Sequence, residues 1–254
     1  MSSTPIKSEE KYIRKNELGH GGFGTVYIGE RNTDGTLVAM KCVSKQLADS
    51  LYKTEIHAME SCDSEFTVHF MDSCSDDNFC WIIMEYCRFD TVASFLQKVR
   101  RLTEDEIKDI LACCVLGLMY MHSKGIIHRD IKGANIFLSQ KGVVKLGDFG
   151  LSTETVHSFS TRKEVCGTYA WMAPELINGH GCQKSDVWSL GVTAIELAET
   201  KSPYQEYPLA EVCTTKGVEC RCSHRSVRDP FPLSTKRSGR QCTSPSWLAA
   251  SRET

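Results

Sequence analysis

One stretch restricts the fold more than any other. The sequence IIHRDIKGANIFLSQKGVVKLGDFGLS, at residues 126–152, places charged side chains between apolar segments. Residues 128–135 alone contain His, Arg, Asp, Lys and Asn. Two apolar runs, NIFL and VVKL, follow, and Asp148 then lies between a glycine and a phenylalanine. Because charged groups are seldom buried without partners, this pattern predicts short buried strands that support a cluster of functional polar groups.

Composition narrows the class of protein. The chain has 254 residues, enough for one large domain or two lobes around a cleft, and 41% of them are hydrophobic. The formal net charge of −2 gives no electrostatic reason to expect nucleic-acid binding. The first residues lack the apolar run of a signal peptide, and no segment approaches the ~18 apolar residues of a membrane span. We therefore expect a cytoplasmic protein without nucleic-acid or membrane partners.

The cysteines favour a reducing compartment. There are 13 of them, an odd number, scattered mostly through apolar segments, where cysteine acts as a small core residue. No pair has the C-x-x-C spacing of a zinc site. The nearest candidate is the sequence CRCSH, with Cys220, Cys222 and His224, and its spacing makes a poor metal site.

The first part of the chain is rich in strand signals. Residues 11–43 alternate, contain many β-branched residues and include the turn signal NTDG, which predicts three antiparallel strands. Residues 47–61 have helical spacing, and residues 80–87, CWIIMEYC, predict a buried strand. The residues that share one face of the first helix are Leu51, Glu55, Ala58 and Met59.

The second part of the chain is helical. Residues 91–99 have helical spacing, with Val92, Phe95, Leu96 and Val99 on one face. Thr103 and Glu106 form the signature of a capping box, and Gly125 ends the helix that they begin. Residues 186–199, DVWSLGVTAIELAE, are apolar nearly all round, which predicts a buried helix. The buried stripe expected in the capped helix is Ile107, Ile110, Leu111, Cys114, Leu118 and Met121.

A glycine cluster interrupts the first two strands. The sequence LGHGGFGTV has the spacing G-x-G-x-x-G-x-V, with Gly19, Gly21, Gly24 and Val26. A dinucleotide-binding loop would lead into a helix, but here a strand follows. The glycines therefore lie at a hairpin tip, either as an ordinary turn or as a site where backbone amides approach phosphate oxygens.

Lys41, in VAMK on the third predicted strand, is the second candidate phosphate ligand. It is either a surface residue of an exposed strand or a functional ammonium. Glu55 faces inward on the following helix and could pair with it. Such a carboxylate would hold the ammonium in place to meet phosphate oxygens.

These motifs together resemble those of eukaryotic protein kinases, over residues 12 to about 210. The chain contains, in order, GHGGFGTV, VAMK, Glu55, HRDIKGAN, DFG, MAPE and DVWSLG. Within that family, IKSEEKY, MEYC, TEDEI, WMAPE and WSLGVTAIELAE are similar to Hippo-type kinases of the germinal-centre branch. The resemblance implies an α+β bilobal fold, with an ATP-binding N-lobe at residues 12–87 and a mostly helical C-lobe at residues 88–210.

The resemblance also implies a chemistry, the Mg²⁺- and ATP-dependent phosphorylation of Ser or Thr on protein substrates. Asp130 would accept or orient the hydroxyl proton, and Lys132 would reach the transferring phosphate. Asn135 and Asp148 would bind Mg²⁺ through oxygen atoms. Thr168 would bridge Asp130 and Lys132. Lys132 and the sequence GTYAWMAPE favour Ser/Thr kinases over tyrosine kinases.

The resemblance extends to the nucleotide pocket. Val26, Ala39 and Met84 would line the adenine site, although any buried strand methionine would look like Met84. The backbone of residues 85–87 would form the hinge. The full set expected to bind ATP is Leu18, Gly19, His20, Gly21, Gly22, Phe23, Gly24, Thr25, Val26, Ala39, Lys41, Glu55, Met84, Glu85 and Cys87.

Supporting residues follow from the same likeness. His128 is a packing residue rather than a base, and Phe149 packs against it and against Met59. Asp186 anchors the catalytic loop from below, or is an ordinary acid at a helix N-terminus. The core residues of the two short strands are Ile136, Leu138, Val144 and Leu146.

The resemblance ends near residue 210. A kinase would continue with three more helices and an arginine that pairs with Glu175. Residues 211–254 instead lack apolar periodicity, which predicts a disordered tail or indicates an error of reading frame or gene model. The C-lobe is therefore expected to be incomplete at its C-terminal end, and several faces of the helix at residues 186–199 are expected to lack cover. The alternative function is therefore a catalytically impaired, kinase-like protein that binds nucleotide or acts as a scaffold. A nucleotide-binding protein that is not a kinase explains none of the later motifs.

Regulation is expected at the activation segment. In related kinases, the arginine that corresponds to Arg129 meets a phosphate on this segment. Glu164 stands three residues before Gly167, where a Ser or Thr is expected. It is either a partial substitute for phosphate or a solvated loop charge. An upstream kinase or a scaffold is a further expected partner. Additional candidate phosphorylation sites are Ser158, Ser160 and Thr161.

Overall fold

The computed structural model describes residues 11–21, 24–99, 101–154 and 168–217. These residues form the predicted α+β bilobal fold, with a β-sheet lobe followed by a helical lobe. The N-lobe elements are β1 (Tyr12–Gly21), β2 (Gly24–Arg31), β3 (Leu37–Ser44), α1 (Lys45–Ser61), β4 (Phe70–Ser75) and β5 (Phe79–Glu85).

The C-lobe follows β5 and carries short strands between its helices. Its elements are α2 (Val92–Val99), α3 (Glu104–Ser123), β6 (Ile126–Ile127), a 3-10 turn (Gly133–Asn135), β7 (Ile136–Leu138), β8 (Val144–Leu146), β9 (Thr153–Glu154), α4 (Pro174–Ile177), α5 (Gln183–Glu199) and α6 (Leu209–Thr215). β7 and β8 pair with each other, and β6 pairs with β9. The two apolar runs of the opening sequence are therefore a short antiparallel hairpin.

The N-lobe sheet is antiparallel, with strand order β1-β2-β3-β5-β4. β1 and β2 join at the glycine cluster, where Gly21 lies opposite Gly24. Gly24 has a φ of +127°, and a Cβ there would lie 2.0 Å from the carbonyl oxygen of Cys42. Only glycine fits this position. The three predicted strands are confirmed; Gly22 and Phe23, at the tip, lie outside the described residues.

One hydrophobic cluster runs through both lobes. Met59 of α1 and Ile82 of β5 belong to it, together with Phe149 and Leu146 on the C-lobe side. Glu55, like Met59, is buried, so the predicted inner face of α1 is confirmed for these two residues. The catalytic groups are therefore mounted on a continuous core rather than on loops alone.

The capping box of α3 is present. The backbone N–H of Glu106 donates to Oγ1 of Thr103 at 3.3 Å, and the backbone N–H of Thr103 donates to Oε2 of Glu106 at 2.7 Å. Gly125, just past the helix, has a φ of +74°. Both predicted ends of α3 are therefore confirmed, and together they fix where the catalytic loop begins.

α5 is buried on one side only, and the expectation that some of its faces lack cover is confirmed for three apolar side chains. Val187 is 60% exposed, and Trp188 and Ile195 are each 41% exposed. The buried side of α5 combines the apolar residues Leu190, Val192 and Leu197 with a polar stripe of hydroxyl and carboxylate groups. They are Ser185, Asp186, Ser189, Thr193 and Glu196. These side chains bond backbone groups of the catalytic loop and its neighbours, so polarity here serves buried hydrogen bonds rather than solvent contact. Val99 of α2, also expected inside, is 41% exposed.

The folded part extends past the boundary predicted at residue 211. α6 continues to Thr215, and its Val212 and Cys213 are both buried. Cys213 packs in a small cluster with Met172 and Leu176. This apolar anchor on α4 explains why a short helix forms where the sequence shows no sustained periodicity. The CRCSH sequence and the rest of the proposed tail lie outside the described residues.

Candidate active site

Lys41 is the centre of a group of three charges, in which Lys41 and Glu55 are buried and Asp148 is half-buried. Its Nζ donates to Oε1 of Glu55 at 2.6 Å and to Oδ1 of Asp148 at 3.1 Å. β3 supplies the lysine, α1 the glutamate, and the segment after β8 the aspartate. The expected pair of Lys41 and Glu55 is present, and Asp148 joins it. This contact holds the ammonium between the two lobes.

Burial and opposite charge compete within this group. Burial alone would lower the pKa of Lys41, but the carboxylates of Glu55 and Asp148 outweigh it and raise that pKa. Burial would raise the pKa of Asp148, but Lys41 dominates and lowers it. Burial raises the pKa of Glu55, because one ammonium cannot fully compensate two carboxylates. At neutral pH Lys41 and Asp148 are therefore charged, as phosphate and metal binding require.

The residues expected around adenine share one face of the sheet. Val26 of β2 lies opposite Lys41, and Ala39 of β3 lies opposite Met84 of β5. Lys41 and Ala39 are two residues apart on one strand, so all four side chains point to the same side. Ala39 is buried and Met84 half-buried. Sheet register thus brings the residues expected to line the adenine pocket beside Lys41.

The other expected nucleotide residues lie at the two ends of this surface. Leu18 is exposed, and a Cβ at Gly19 would meet no atom within 4 Å. The His20 Nδ1 is 2.7 Å from Oγ1 of Thr25, which ties the two strands of the glycine hairpin. At the hinge, Glu85 lies opposite Val38 and so points away from the pocket, towards Nζ of Lys145 at 3.0 Å. Cys87 is buried.

Asp130 receives hydrogen bonds from three side chains. Nζ of Lys132 and Nδ2 of Asn135 each donate to its Oδ2 at 2.8 Å. The hydroxyl and the backbone N–H of Thr168 donate to its Oδ1 at 2.9 Å and 3.1 Å. Nζ of Lys132 also donates to Oγ1 of Thr168 at 2.6 Å. Thr168 therefore bridges Asp130 and Lys132, as the resemblance implied.

Asp186 holds the loop that carries Asp130. Its carboxylate accepts the backbone N–H of His128 at 2.9 Å and that of Arg129 at 2.8 Å. It is fully buried and also lies 2.8 Å from Nε2 of His122. Arg129 has a φ of +69°, a left-handed conformation that is unfavourable for a side chain of this size. The carboxylate stabilises this strained turn, so Asp186 is an anchor rather than only an acid at a helix N-terminus.

His128 and Phe149 support the loop from inside. The His128 ring is fully buried, with Nε2 3.0 Å from the carbonyl oxygen of Gly147. Its ring centre lies 5.6 Å from that of Phe149. Phe149 belongs to the same core cluster as Met59. The packing role expected for His128 therefore agrees with its contacts, which link helix α1 to the catalytic loop.

Glu196 and Trp171 were missed from the sequence. Oε2 of Glu196 accepts the backbone N–H of Gly133 at 3.0 Å and Nε1 of Trp171 at 2.8 Å. Burial raises the pKa of Glu196, although both hydrogen bonds favour its charged form. The available signal was polar residues spaced four apart on an apolar helix, at Ser185 and Ser189. That spacing marks a polar stripe, but its partners are distant in sequence.

Part of the expected regulatory machinery is not described. Glu164 and the candidate phosphorylation sites fall within residues 155–167, outside the described residues. Before this range, the Nε of Arg129 donates to the carbonyl oxygen of Leu151 at 2.5 Å. Glu175, for which an arginine partner was expected, accepts a hydrogen bond from Oγ of Ser185 at 2.7 Å.

Neither a cluster of metal-binding side chains nor a membrane-spanning helix is found among the described residues. They contain no group of three or more His, Cys, Asp or Glu side chains able to hold a metal ion. None of the helices within these ranges has the length and apolar character that a membrane span requires.

The comparisons with known proteins agree with this geometry. The protein kinase domain family matches residues 12–236. The serine/threonine-protein kinase hippo of Drosophila melanogaster is 41% identical over 193 residues, which are 75% of this chain. The same alignment covers 29% of that relative, so the chain spans less than a third of its length. The chain belongs to the protein kinase family, and it is similar to the Hippo serine/threonine kinase.

Proposed function

We propose that this domain transfers the γ-phosphoryl group of ATP to Ser or Thr hydroxyls of protein substrates. Protein kinases in general use ATP and Mg²⁺. The observation that carries the proposal is the contact of Asp130 with Lys132, Asn135 and Thr168. Such a preorganised acceptor is what phosphoryl transfer needs, because the reaction depends on positioning and charge more than on covalent help.

The residues present fit a magnesium ion. The Asp148 side chain is 32% exposed, so its carboxylate keeps access to the cleft although Lys41 contacts one oxygen. Asn135 uses its amide nitrogen towards Asp130, which leaves the amide oxygen as its metal-binding atom. Carboxylate and amide oxygens are the ligands that Mg²⁺ prefers. When bound, the ion would neutralise charge on the phosphates.

The protein groups would share the remaining tasks. Asp130 would orient the acceptor hydroxyl and receive its proton. Lys132 and Thr168 fix the rotation of that carboxylate, and the Lys132 ammonium would offset charge on the transferred group. Lys41, held by Glu55, would position the phosphates from the N-lobe side. Preorganised charges of this kind stabilise a transition state without reorganising during the reaction.

Ser and Thr are the proposed acceptors rather than Tyr. Lys132 in HRDIKGAN and its contact with Thr168 support this, as does the Ser/Thr specificity in the name of the Hippo relative. The proposed partners are ATP, protein substrates, and an upstream kinase or a scaffold, in the cytoplasm. No described contact favours the alternative of an impaired, kinase-like scaffold, because the catalytic groups touch one another as phosphoryl transfer requires.

The test is transfer of labelled phosphate from ATP by the full chain. Three peptides that differ only in a Ser, Thr or Tyr acceptor would be compared, with and without Mg²⁺. We expect label on Ser and Thr, dependence on Mg²⁺, and loss of transfer in Asp148→Asn. Asp109→Asn, an exposed position on α3, is the matched control. Nucleotide binding without any transfer would instead support the impaired alternative.

A further inference from the structure

Lys216 lies after the last of the kinase motifs, although still within the residues 12–236 that the kinase family matches. Its side chain reaches the segment that directly follows Thr168. Its Nζ donates to the carbonyl oxygens of Met172 at 2.7 Å, Tyr169 at 2.8 Å and Ala170 at 3.1 Å. The residue is only 9% exposed. The ring centre of Tyr204 lies 4.5 Å from the same nitrogen. The C-terminal end of α6 thus delivers a buried cation to residues 169–172.

The three acceptors match the three N–H bonds of an ammonium. A buried charge normally requires a partner of opposite charge or a full set of hydrogen bonds. Within the described residues, the Lys216 ammonium contacts three carbonyl oxygens and an aromatic face. Burial lowers the pKa of Lys216 to about 8, and the nearby Cys213 opposes this shift. A residue that served only to fill space would not need this set of acceptors.

Residues 169–172 directly follow Thr168, which contacts Asp130 and Lys132. α5 also holds this segment: Oγ of Ser189 donates to the carbonyl oxygen of Trp171 at 2.9 Å, and Glu196 accepts the Trp171 indole. α5 therefore fixes Trp171 from one side. Lys216 holds the carbonyl groups of Tyr169, Ala170 and Met172, which are the neighbours of Trp171 in this segment.

We propose that Lys216 is a positioning residue for phosphoryl transfer, which holds residues 169–172 so that Thr168 keeps Asp130 aligned with the acceptor hydroxyl. The inference rests on the proposed kinase function. Lys216 touches neither nucleotide-binding residues nor Asp130, so it acts through the segment. It also gives a role in activity to a residue that belongs to none of the kinase motifs of the sequence.

Replacement by methionine keeps the apolar stem but removes the donors. Three buried carbonyl groups would then lack their partner, and the segment would shift or loosen. A displacement of about 1 Å in a positioned group can cost on the order of 100-fold in rate. We therefore expect kcat for peptide to fall about 10- to 100-fold in Lys216→Met. The Kd of ATP should change by less than about twofold, because Lys41, Glu55 and Asp148 are untouched.

The experiment compares wild type, Lys216→Met, Lys216→Arg and the control Lys201→Met, an exposed lysine of the same lobe. Peptide kcat and KM, ATP Kd, and hydrogen exchange of the Trp171 and Met172 amides would be measured on folded protein. These amides donate to Thr168 and Tyr169 carbonyls within the segment. Faster exchange and lower kcat in Lys216→Met, with partial recovery in Lys216→Arg, would support the proposal.

The outcomes separate the two claims. If wild type transfers no phosphate, the kinase proposal fails, while the exchange data still report whether Lys216 holds the segment. If wild type is active and Lys216→Met matches Lys201→Met in kcat and in exchange, the positioning role is refuted. If Lys216→Met lowers kcat and ATP binding by the same factor, and that factor equals the unfolded fraction of the protein, then Lys216 only stabilises the fold. That result would also refute the positioning role.

Discussion

Asp186→Asn should both destabilise the fold and stop catalysis. Asp186 accepts two backbone N–H groups, from His128 and Arg129, and is fully buried. Hydrogen bonds to charged groups contribute about 1.5–3 kcal/mol each. An asparagine of the same shape keeps one acceptor oxygen but turns an N–H towards the second donor. We therefore estimate a loss of about 2–4 kcal/mol in the free energy of unfolding.

This loss is large enough to measure by thermal unfolding. For a chain of this size, about 1 kcal/mol changes Tm by about 2–4 °C, so a decrease of roughly 5–15 °C is expected. Catalysis should fall even below that temperature, because the left-handed turn at Arg129 loses its anchor. Asp109→Asn is the surface control. An Asp186→Asn variant that matches this control in both Tm and turnover would refute the anchoring role.

Three further predictions concern the active site and its support. Lys41→Met should abolish measurable transfer by misplacing phosphates yet leave a cooperative unfolding transition; normal turnover would contradict the role of the buried charge group. Thr168→Val should lower kcat about 10- to 100-fold by removing the bridge to Asp130, whereas Thr168→Ser should retain most activity. Equal rates for the two variants would show that the hydroxyl of residue 168 does not contribute to catalysis. Lys216 titrates near pH 8 when folded, below its ordinary value of 10.5. Between these values the unfolded state binds more protons, so this group makes the unfolding free energy increase with pH. Denaturant unfolding from pH 7.5 to 10 should show a smaller increase of the unfolding free energy in Lys216→Met than in wild type, while the neighbouring Tyr204, Tyr169 and Cys213 remain in both. An identical dependence of this free energy on pH in the two proteins would contradict the lowered pKa of Lys216.

The sequence predicted the parts of the fold that have local signals. Alternation predicted the first three strands, and the capping residues Thr103 and Glu106 predicted the start of α3. The pairing of Lys41 with Glu55 followed from one residue on a strand and one on the inner face of the next helix. Each of these predictions depends on a few neighbouring residues, and the kinase likeness supplied the order of the motifs.

The polar face of α5 could not be found in the same way. Apolar content suggested burial on every side, but Val187 and Trp188 are exposed while Asp186 and Ser189 are buried. The deciding contacts join α5 to groups far away in the chain, such as the backbone of His128 and the carbonyl of Trp171. Hydropathy contains no information about such partners, so the sequence did not show which face of this helix is buried.

Lys216 was missed for a related reason. The helix before it, α6, is too short to show apolar periodicity, and it lies after the last kinase motif of the sequence. The segment therefore seemed to belong to a disordered tail. Only the fold brings Cys213 against Met172 and the Lys216 ammonium against three backbone carbonyls.

The most direct test is a single-turnover measurement of phosphoryl transfer in wild type and Asp130→Asn, with saturating ATP, Mg²⁺ and a Ser peptide. Asp130 combines contacts from Lys132, Asn135 and Thr168, so every part of the proposed mechanism passes through its carboxylate. A positioned base contributes roughly 10²–10⁴-fold, and we expect a decrease of that size with unchanged ATP affinity. Near-normal transfer in Asp130→Asn would contradict the assignment of this site as a kinase active site.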